Sequence, residues 1–328
     1  MTLILTCLTN DYIVQVSDRR LSYWDGTKVV VTDNDSNKAL FYKNQFVFAY
    51  TGLAKLPIRK DGKNIELSAI EWAAQRLYEG KNLEDAAYRL KYRVTELMDS
   101  NQIRKLPKPK RRLAFIGAGF DEVERGSKRI RRPLRIVIEN FIEDDGAFLD
   151  EPRDEFRIHF DSLKTCDATL YVAGQKLSEE RKIEFTRILK RCVHHKVKPE
   201  TIAVKLTREI QVMSGKYKNV GDNIMCTFVP QAYGDKIGLR TGGIQLRRPV
   251  LNPEPQQLEP AEGIPLEERI VILPPFDSPV YIYVDGKNKT LPYYSPLQVG
   301  QGDVNVVPEL IMGGMSLTVP PFVQILNP

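Results

Sequence analysis

Over the first 230 or so residues the spacing of apolar side chains switches repeatedly between two periods, and that alternation constrains the fold more than any single motif. Residues 2–52 run at period two. Thr2–Leu8 and Tyr12–Ser17 read as strands joined by Thr9-Asn10-Asp11, Val29–Thr32 is a short strand, and Lys38–Tyr42 with Gln45–Tyr50 is a hairpin turning at Lys43-Asn44. The period then becomes 3.6. Ser68-Ala69-Ile70-Glu71 is a capping-box pattern opening a helix with Ile70, Ala73, Ala74 and Leu77 inward, and Asn82 caps a second with Ala86, Leu90, Val94 and Leu97 in one stripe. Strands return at Arg112–Phe120, Leu134–Phe141, Arg157–Phe160 and Ala168–Ala173. Helices follow from Ser178 and Pro199, and then the strand Ile224–Val229. Antiparallel sheets with a helix pair on each outer face satisfy this order. The expected class is α+β, a four-layer α-β-β-α sandwich.

Beyond Ala232 proline and glycine become frequent. Residues 1–232 are expected to form the main domain, 233–262 a Pro-rich linker, and 263–328 a small β-rich C-terminal segment whose role the sequence does not disclose. No apolar run approaches the roughly 20 residues a membrane helix needs, so no membrane partner is expected. No basic region precedes Leu3-Ile4-Leu5 as a signal peptide requires, and Cys7, Cys166, Cys192 and Cys226 lack paired or metal-type spacing. Reduced thiols in a cytoplasmic protein fit that pattern, with no cofactor and no metal. The net charge of +6 is concentrated around residues 104–112 and 128–135, without interleaved aromatics to stack on bases, so a solvated surface is expected rather than a nucleic-acid site. His194-His195 closes a helix, where histidine suits the negative end of the dipole.

The chemistry concentrates at the start of the chain. Thr2 follows the initiator methionine and is small enough for Met1 to be trimmed. A terminal threonine then carries a hydroxyl nucleophile and a free α-amine, whose ordinary pKa near roughly 8 suits a general base. Asp18 ends the second strand inside Asp18-Arg19-Arg20, Lys38 begins the hairpin that follows, and Gly52 ends it. Asp18 lies sixteen residues after Thr2, and Gly52 lies fourteen after Lys38.

Those residues and intervals resemble the proteasome β-type subunits and related N-terminal-nucleophile hydrolases, over roughly residues 2–230. The resemblance implies a threonine-type amide hydrolase, most simply a peptidase. Thr2 would attack the carbonyl to give an acyl-enzyme, and Lys38, held by Asp18, would keep the Thr2 amine neutral. The Gly52 N–H would face the oxyanion, where one such donor is worth roughly 3–4 kcal/mol. Ser22 would pair its main chain with the substrate, and Arg20, Ser214 and Asp222 would support the site. A peptide or other amide substrate and a homo-oligomer follow, since relatives assemble into rings. At two positions the pattern departs. The family's serine turn is Ala173-Gly174-Gln175-Lys176 here, and Gln211 stands where the family has an acid. The alternative is a catalytically inactive proteasome-like subunit kept as an assembly or binding module.

Overall fold

The computed structural model describes residues 2–231 except 35, 43–45, 61–62, 79, 81, 126–127, 143–147, 164–167 and 198. Beyond these it describes the strands 270–273, 280–284, 297–299, 309–312 and 315–318. The chain opens with eight strands: Leu3–Leu8 (β1), Tyr12–Asp18 (β2), Leu21–Trp24 (β3), Val29–Asp33 (β4), Ala39–Tyr42 (β5), Phe46–Gly52 (β6), Lys55–Lys60 (β7) and Lys63–Ser68 (β8). Helices Ala69–Tyr78 (α1) and Leu83–Met98 (α2) and the single turn Asn101–Arg104 (α3) come next. Strands Leu113–Arg125 (β9), Lys128–Glu139 (β10), Arg157–Ser162 (β11) and Thr169–Gly174 (β12) lead to helices Glu179–His194 (α4) and Pro199–Lys216 (α5). Strands Ile224–Pro230 (β13), Ile270–Leu273 (β14), Val280–Val284 (β15), Leu297–Val299 (β16), Glu309–Met312 (β17) and Met315–Thr318 (β18) close the described chain.

The helix starts follow their caps. Ser68 and Glu71 form the reciprocal capping box, each side chain taking the other residue's backbone N–H. Asn82 accepts from Asp85 N at 2.8 Å to start α2, and Ser178 accepts from Arg181 N at 3.3 Å to start α4.

Two six-stranded sheets organise the molecule. The first has the order β12-β1-β2-β13-β15-β14, and the second β11-β10-β9-β6-β5-β16. Helices α4 and α5 cover the first through Phe185, Leu189, Ile202, Leu206 and Ile210, packed on Leu3, Leu5, Val14 and Val16. Helices α1 and α2 cover the second through Ile70, Ala73, Leu77, Leu90 and Val94, packed on Phe48, Tyr50, Phe115 and Ile136. A further cluster joins Ile4 and Ala173 of the first sheet to Ala49, Ala114 and Ile116 of the second. Gln15 of β2 reinforces it by donating to the Ile116 carbonyl on β9 at 3.3 Å. All the pairings are antiparallel except β16 with β5, so the chain is mixed α+β with antiparallel sheets.

Several elements differ from the sequence expectations. The strands expected at Arg112–Phe120 and Leu134–Phe141 are longer in the structure, β9 running on to Arg125 and β10 starting at Lys128, and opposite charges stand across from each other in register on this arm. Arg132 meets Asp121 at 3.4 Å and Arg131 meets Glu122 at 3.9 Å. Strands β3, β7 and β8 were not expected from the sequence, although Leu56 and Ile58 alternate in β7, Ile65 and Leu67 alternate in β8, and these residues pair across the hairpin. Strands β15 and β14 extend the first sheet from β13. The linker 233–262, Asp285-Gly286, the strand expected near 322–326 and Cys166 lie outside the described residues. No helix among the described residues is long and apolar enough to cross a membrane.

Candidate active site

The site lies at the strand ends where the two sheets face each other. Thr2 immediately precedes β1, and Asp18 is the last residue of β2. Lys38 immediately precedes β5, and Thr51 is next to last in β6. All four are buried, Asp18 and Lys38 completely. The Lys38 ammonium nitrogen donates to Thr2 Oγ1 at 2.6 Å, to the Arg20 carbonyl at 2.5 Å and to Asp18 Oδ2 at 3.3 Å. The other Asp18 oxygen accepts from Leu3 N at 3.2 Å, tying the carboxylate to the strand that begins at Thr2.

Burial dominates the electrostatics of the pair. It pushes Asp18 above the usual carboxylate value, opposed by the Lys38 charge and the Leu3 N–H. It pulls Lys38 below the usual amine value, opposed by Asp18 and helped by nearby Arg19. Both shifts have one main cause, since a charge in this fully buried position loses its hydration. Burial therefore disfavours the ammonium form of Lys38 relative to a solvated lysine.

The backbone of Thr2 is clamped from both sheets. Thr2 N donates to Thr51 Oγ1 at 3.3 Å, and the Thr2 carbonyl accepts from Gln175 N at 2.9 Å. Gly174, which pairs with Leu3 across β12 and β1, makes this approach feasible. It has φ +81°, and a Cβ there would fall 1.6 Å from the Thr2 carbonyl oxygen. Neither Thr51 nor Gly174 was singled out in the sequence. Gly174 stood inside a turn read only as lacking a serine, and Thr51 carried no motif.

Gly52 ends β6 with φ +102°, and a Cβ on it would lie 2.1 Å from the Arg112 carbonyl oxygen. The chain path alone therefore requires glycine here, before any catalytic use is considered. Arg20 brings its carbonyl to Lys38 and its guanidinium to the segment after α5. It bonds Asn34 Oδ1 at 2.7 Å, the Lys218 and Val220 carbonyls at 3.0 Å each, and Asp222 at 3.4 Å. Asp222 is thus joined to the cluster through Arg20. Ser214 donates to the Gln211 backbone carbonyl of its own helix at 2.8 Å, the Lys176 ammonium sits over the Phe148 ring, and the Gln211 Nε2 is buried without a hydrogen-bond partner among the described residues. Ser22 lies on β3 next to Leu21, which with Asn37, Tyr50, Ala54, Asp33 and Glu71 lines a cleft of about 720 Å³; Ser22, Thr2, Asp18 and Lys38 are not among its lining residues. Each of those first four residues is within two positions of a member of the site. No group of three or more His, Cys, Asp or Glu among the described residues could hold a metal ion.

No protein-family model and no curated protein matches the chain. Among solved structures it is similar to Anbu (ancestral beta-subunit) from Yersinia bercovieri, at 12% identity and TM-score 0.40, over 70% of this chain and 81% of that one. It is also similar to the Anbu (Gly-1) mutant from Hyphomicrobium sp. strain MC1, at 12% identity and TM-score 0.39, over 72% and 86%. Likeness that weak assigns no family. The resemblance to proteasome β-type and N-terminal-nucleophile hydrolases over residues 2–230 is therefore corrected. It rested on the spacing of Thr2, Asp18, Lys38 and Gly52, and four positions at strand ends specify a local geometry rather than a lineage. What stands is a weak structural similarity to Anbu and a buried Thr2–Lys38–Asp18 cluster built by this chain's own residues.

Proposed function

We propose that the chain is a threonine-type amide hydrolase, with a peptide the simplest substrate and Thr2 the nucleophile once Met1 has been removed. One observation carries the reading: a fully buried lysine, paired to a fully buried aspartate, sits 2.6 Å from a threonine hydroxyl. The hydrogen-bond pattern is complete in either protonation state. With Lys38 neutral, the Thr2 hydroxyl donates to Nζ, whose two hydrogens serve Asp18 and the Arg20 carbonyl. With Lys38 charged, all three hydrogens are donated, the third to the Thr2 oxygen. The proton can cross without any heavy atom moving.

In the reaction, Thr2 Oγ bonds the substrate carbonyl carbon as its proton passes to Lys38. The carbonyl π pair becomes an oxyanion, for which the exposed backbone at Gly52 is the proposed donor. Collapse breaks the C–N bond, and the leaving amine takes the proton. Water then attacks the Thr2 ester, giving its proton to the Thr2 amine, which passes it to the departing Thr2 oxygen as the carboxylic acid is released. Ser22, beside the cleft, is the proposed main-chain contact for substrate. The architecture proposed around the site is the four-layer α-β-β-α sandwich. Its supports are the helix pair packed on each sheet and the cluster joining the sheets. Residues 1–232 are the proposed unit carrying it.

A second reading has its own support. Thr2 is only 5% exposed, which suits a polar cluster retained in a catalytically silent binding module. Intact mass and labelling separate the two. The hydrolase reading expects loss of Met1, adduct formation at Thr2 with a threonine-directed electrophile, and no turnover in Thr2→Ala. Purified protein that retains Met1, or a Thr2→Ala variant as active as wild type, sinks it.

A further inference from the structure

We infer that Thr51 holds the α-amine of Thr2, a positioning residue for the hydrolysis proposed above, on which the inference rests. Its hydroxyl oxygen lies 3.3 Å from Thr2 N and 3.5 Å from the Thr2 carbonyl oxygen. A hydroxyl has one hydrogen and two lone pairs. Donating that hydrogen to the Thr2 carbonyl turns the lone pairs toward Thr2 N, so Thr51 faces the nitrogen as an acceptor. At 1% exposure there is no solvent to compete for it. Among the described residues no other side chain bonds the Thr2 nitrogen.

The fold aims this hydroxyl. Thr51 stands opposite Ala114 in the β6–β9 register, which fixes the strand from which it points. Across from it, a Cβ at Gly174 would lie 3.0 Å from Thr51 Oγ1 as well as on the Thr2 carbonyl, so the bare backbone there lets the two groups meet. Gln175 N secures the same carbonyl from the other side.

The consequence for chemistry comes from what Met1 removal does to one nitrogen. As part of the peptide bond to Met1, Thr2 N has one hydrogen and no basic lone pair, and Thr51 takes the hydrogen. As a neutral amine it has two hydrogens and a lone pair. Thr51 again takes one hydrogen, which fixes rotation about the N–Cα bond and leaves the lone pair to accept a proton from the attacking water. An acceptor at that distance also favours the ammonium form, so Thr51 raises the amine's pKa relative to a site without it. The charged groups around the nitrogen are Asp18 from β2 and Lys38 from before β5, with Arg19 beyond them. Tyr50 on β6 also titrates, held well above its usual value by burial and then by Asp18, Asp33 and Glu71.

The test uses full-length protein whose loss of Met1 is verified by intact mass. Thr51→Val removes the hydroxyl at nearly constant volume, Thr51→Ser keeps it, and Thr51→Ala serves where valine does not fold. The Thr2 amine is titrated by 15N NMR, and kcat and KM are measured on a panel of fluorogenic peptidyl amides. Thr51→Val is expected to lower the amine pKa by about one unit and kcat by about tenfold, with KM little changed and Thr51→Ser close to wild type. An amine pKa and kcat unmoved in Thr51→Val, in protein that still hydrolyses the amide, overturns the role of Thr51 alone. Retained Met1, or turnover that survives Thr2→Ala, overturns the hydrolase reading and the role of Thr51 with it.

Discussion

Gly174→Ala puts the geometry of the site to its sharpest test. The added Cβ would fall 1.6 Å from the Thr2 carbonyl oxygen and 2.8 Å from its carbon, at a residue with φ +81°. A normal carbon–oxygen contact needs about 3.2 Å, so the end of β12 and Thr2 must part by roughly 1.6 Å. Three effects follow. The left-handed backbone conformation costs about 1–2 kcal/mol for alanine. Losing the Gln175 N–H to Thr2 carbonyl bond removes about 1 kcal/mol. Thr2, the proposed nucleophile, is displaced by more than 1 Å, a misplacement that can cost about 100-fold in rate. The expected results are a Tm lowered by about 5–10 °C and Thr2 labelling by a threonine-directed electrophile slowed about 100-fold. Gly26→Ala is the control, since Gly26 has φ +106° with nothing within 4 Å of the added Cβ. It reports the conformational cost alone, with labelling unchanged. If Gly174→Ala loses no more stability than Gly26→Ala and labels at the wild-type rate, the close approach of Gly174 to Thr2 does not organise the site.

Three other outcomes follow from the buried charges and thiols. Lys38→Met leaves Asp18 buried without its cation and should cost about 3–5 kcal/mol in urea unfolding; adding Asp18→Asn, which still accepts from Leu3 N, should restore more than half. Because burial holds Lys38 below its ordinary 10.5, the unfolded chain binds more protons between the folded value and 10.5, so stability contributed by this residue rises with pH across that window. A urea series over pH should show that rise in wild type and a flatter profile in Lys38→Met. Burial, and then Cys192 nearby, pushes the Cys7 thiol up to about 12, so iodoacetamide at pH 8 should leave Cys7 unmodified until the protein is unfolded. Modification of native Cys7 at the rate of a free thiol would contradict the packing of β1 under α4 and α5.

Much of this was legible in the chain because it is encoded locally. The capping box at Ser68–Glu71, the Asn82 and Ser178 caps and the period switches name their elements within a few residues. Thr2, Asp18 and Lys38 were singled out by their spacing in the sequence, and the structure brings the three side chains together, which leaves their roles to the proposal. What was hidden depends on register across strands. The charged arm of β9 and β10 has no apolar period, and only the pairing of Asp121 with Arg132 and Glu122 with Arg131 makes it a hairpin. Thr51 is one of many strand threonines until Leu3 is seen opposite Gly174 and Gly52 opposite Leu113. Sequence spacing gives a residue's face on its own strand, but not its neighbour on the facing sheet.

The burial of charge in this molecule separates structural pairs from the candidate active one. Glu209 is 2% exposed, but its partner Arg181 is 39% exposed and grips it with two bonds of 2.6 and 3.0 Å, an ion pair open to water on one side. Glu139 is equally buried, and one of its oxygens takes the backbone N–H groups of Phe141 and Ile142 at 2.6 Å each, the work of a turn cap. Among the described residues the other Glu139 oxygen has no hydrogen bond and faces only Arg153 at 3.9 Å and His159 at 3.6 Å, both partly open to solvent. Asp18 and Lys38 differ in that neither side chain reaches solvent at all. Burying both ions costs several kcal/mol each, and well-packed apolar residues in their place are often as stable or more so. The Leu3 N–H could be satisfied by an asparagine, and nothing in the strand pairing demands a cation beside it. The remaining contacts of Lys38 are the Arg20 carbonyl at 2.5 Å and a threonine hydroxyl at 2.6 Å, and the hydroxyl gains little from an ammonium unless its oxygen is to become negative. That folding cost, together with the bond from Lys38 to the Thr2 hydroxyl, is what makes this cluster, rather than the other buried carboxylates, the candidate for the proposed chemistry.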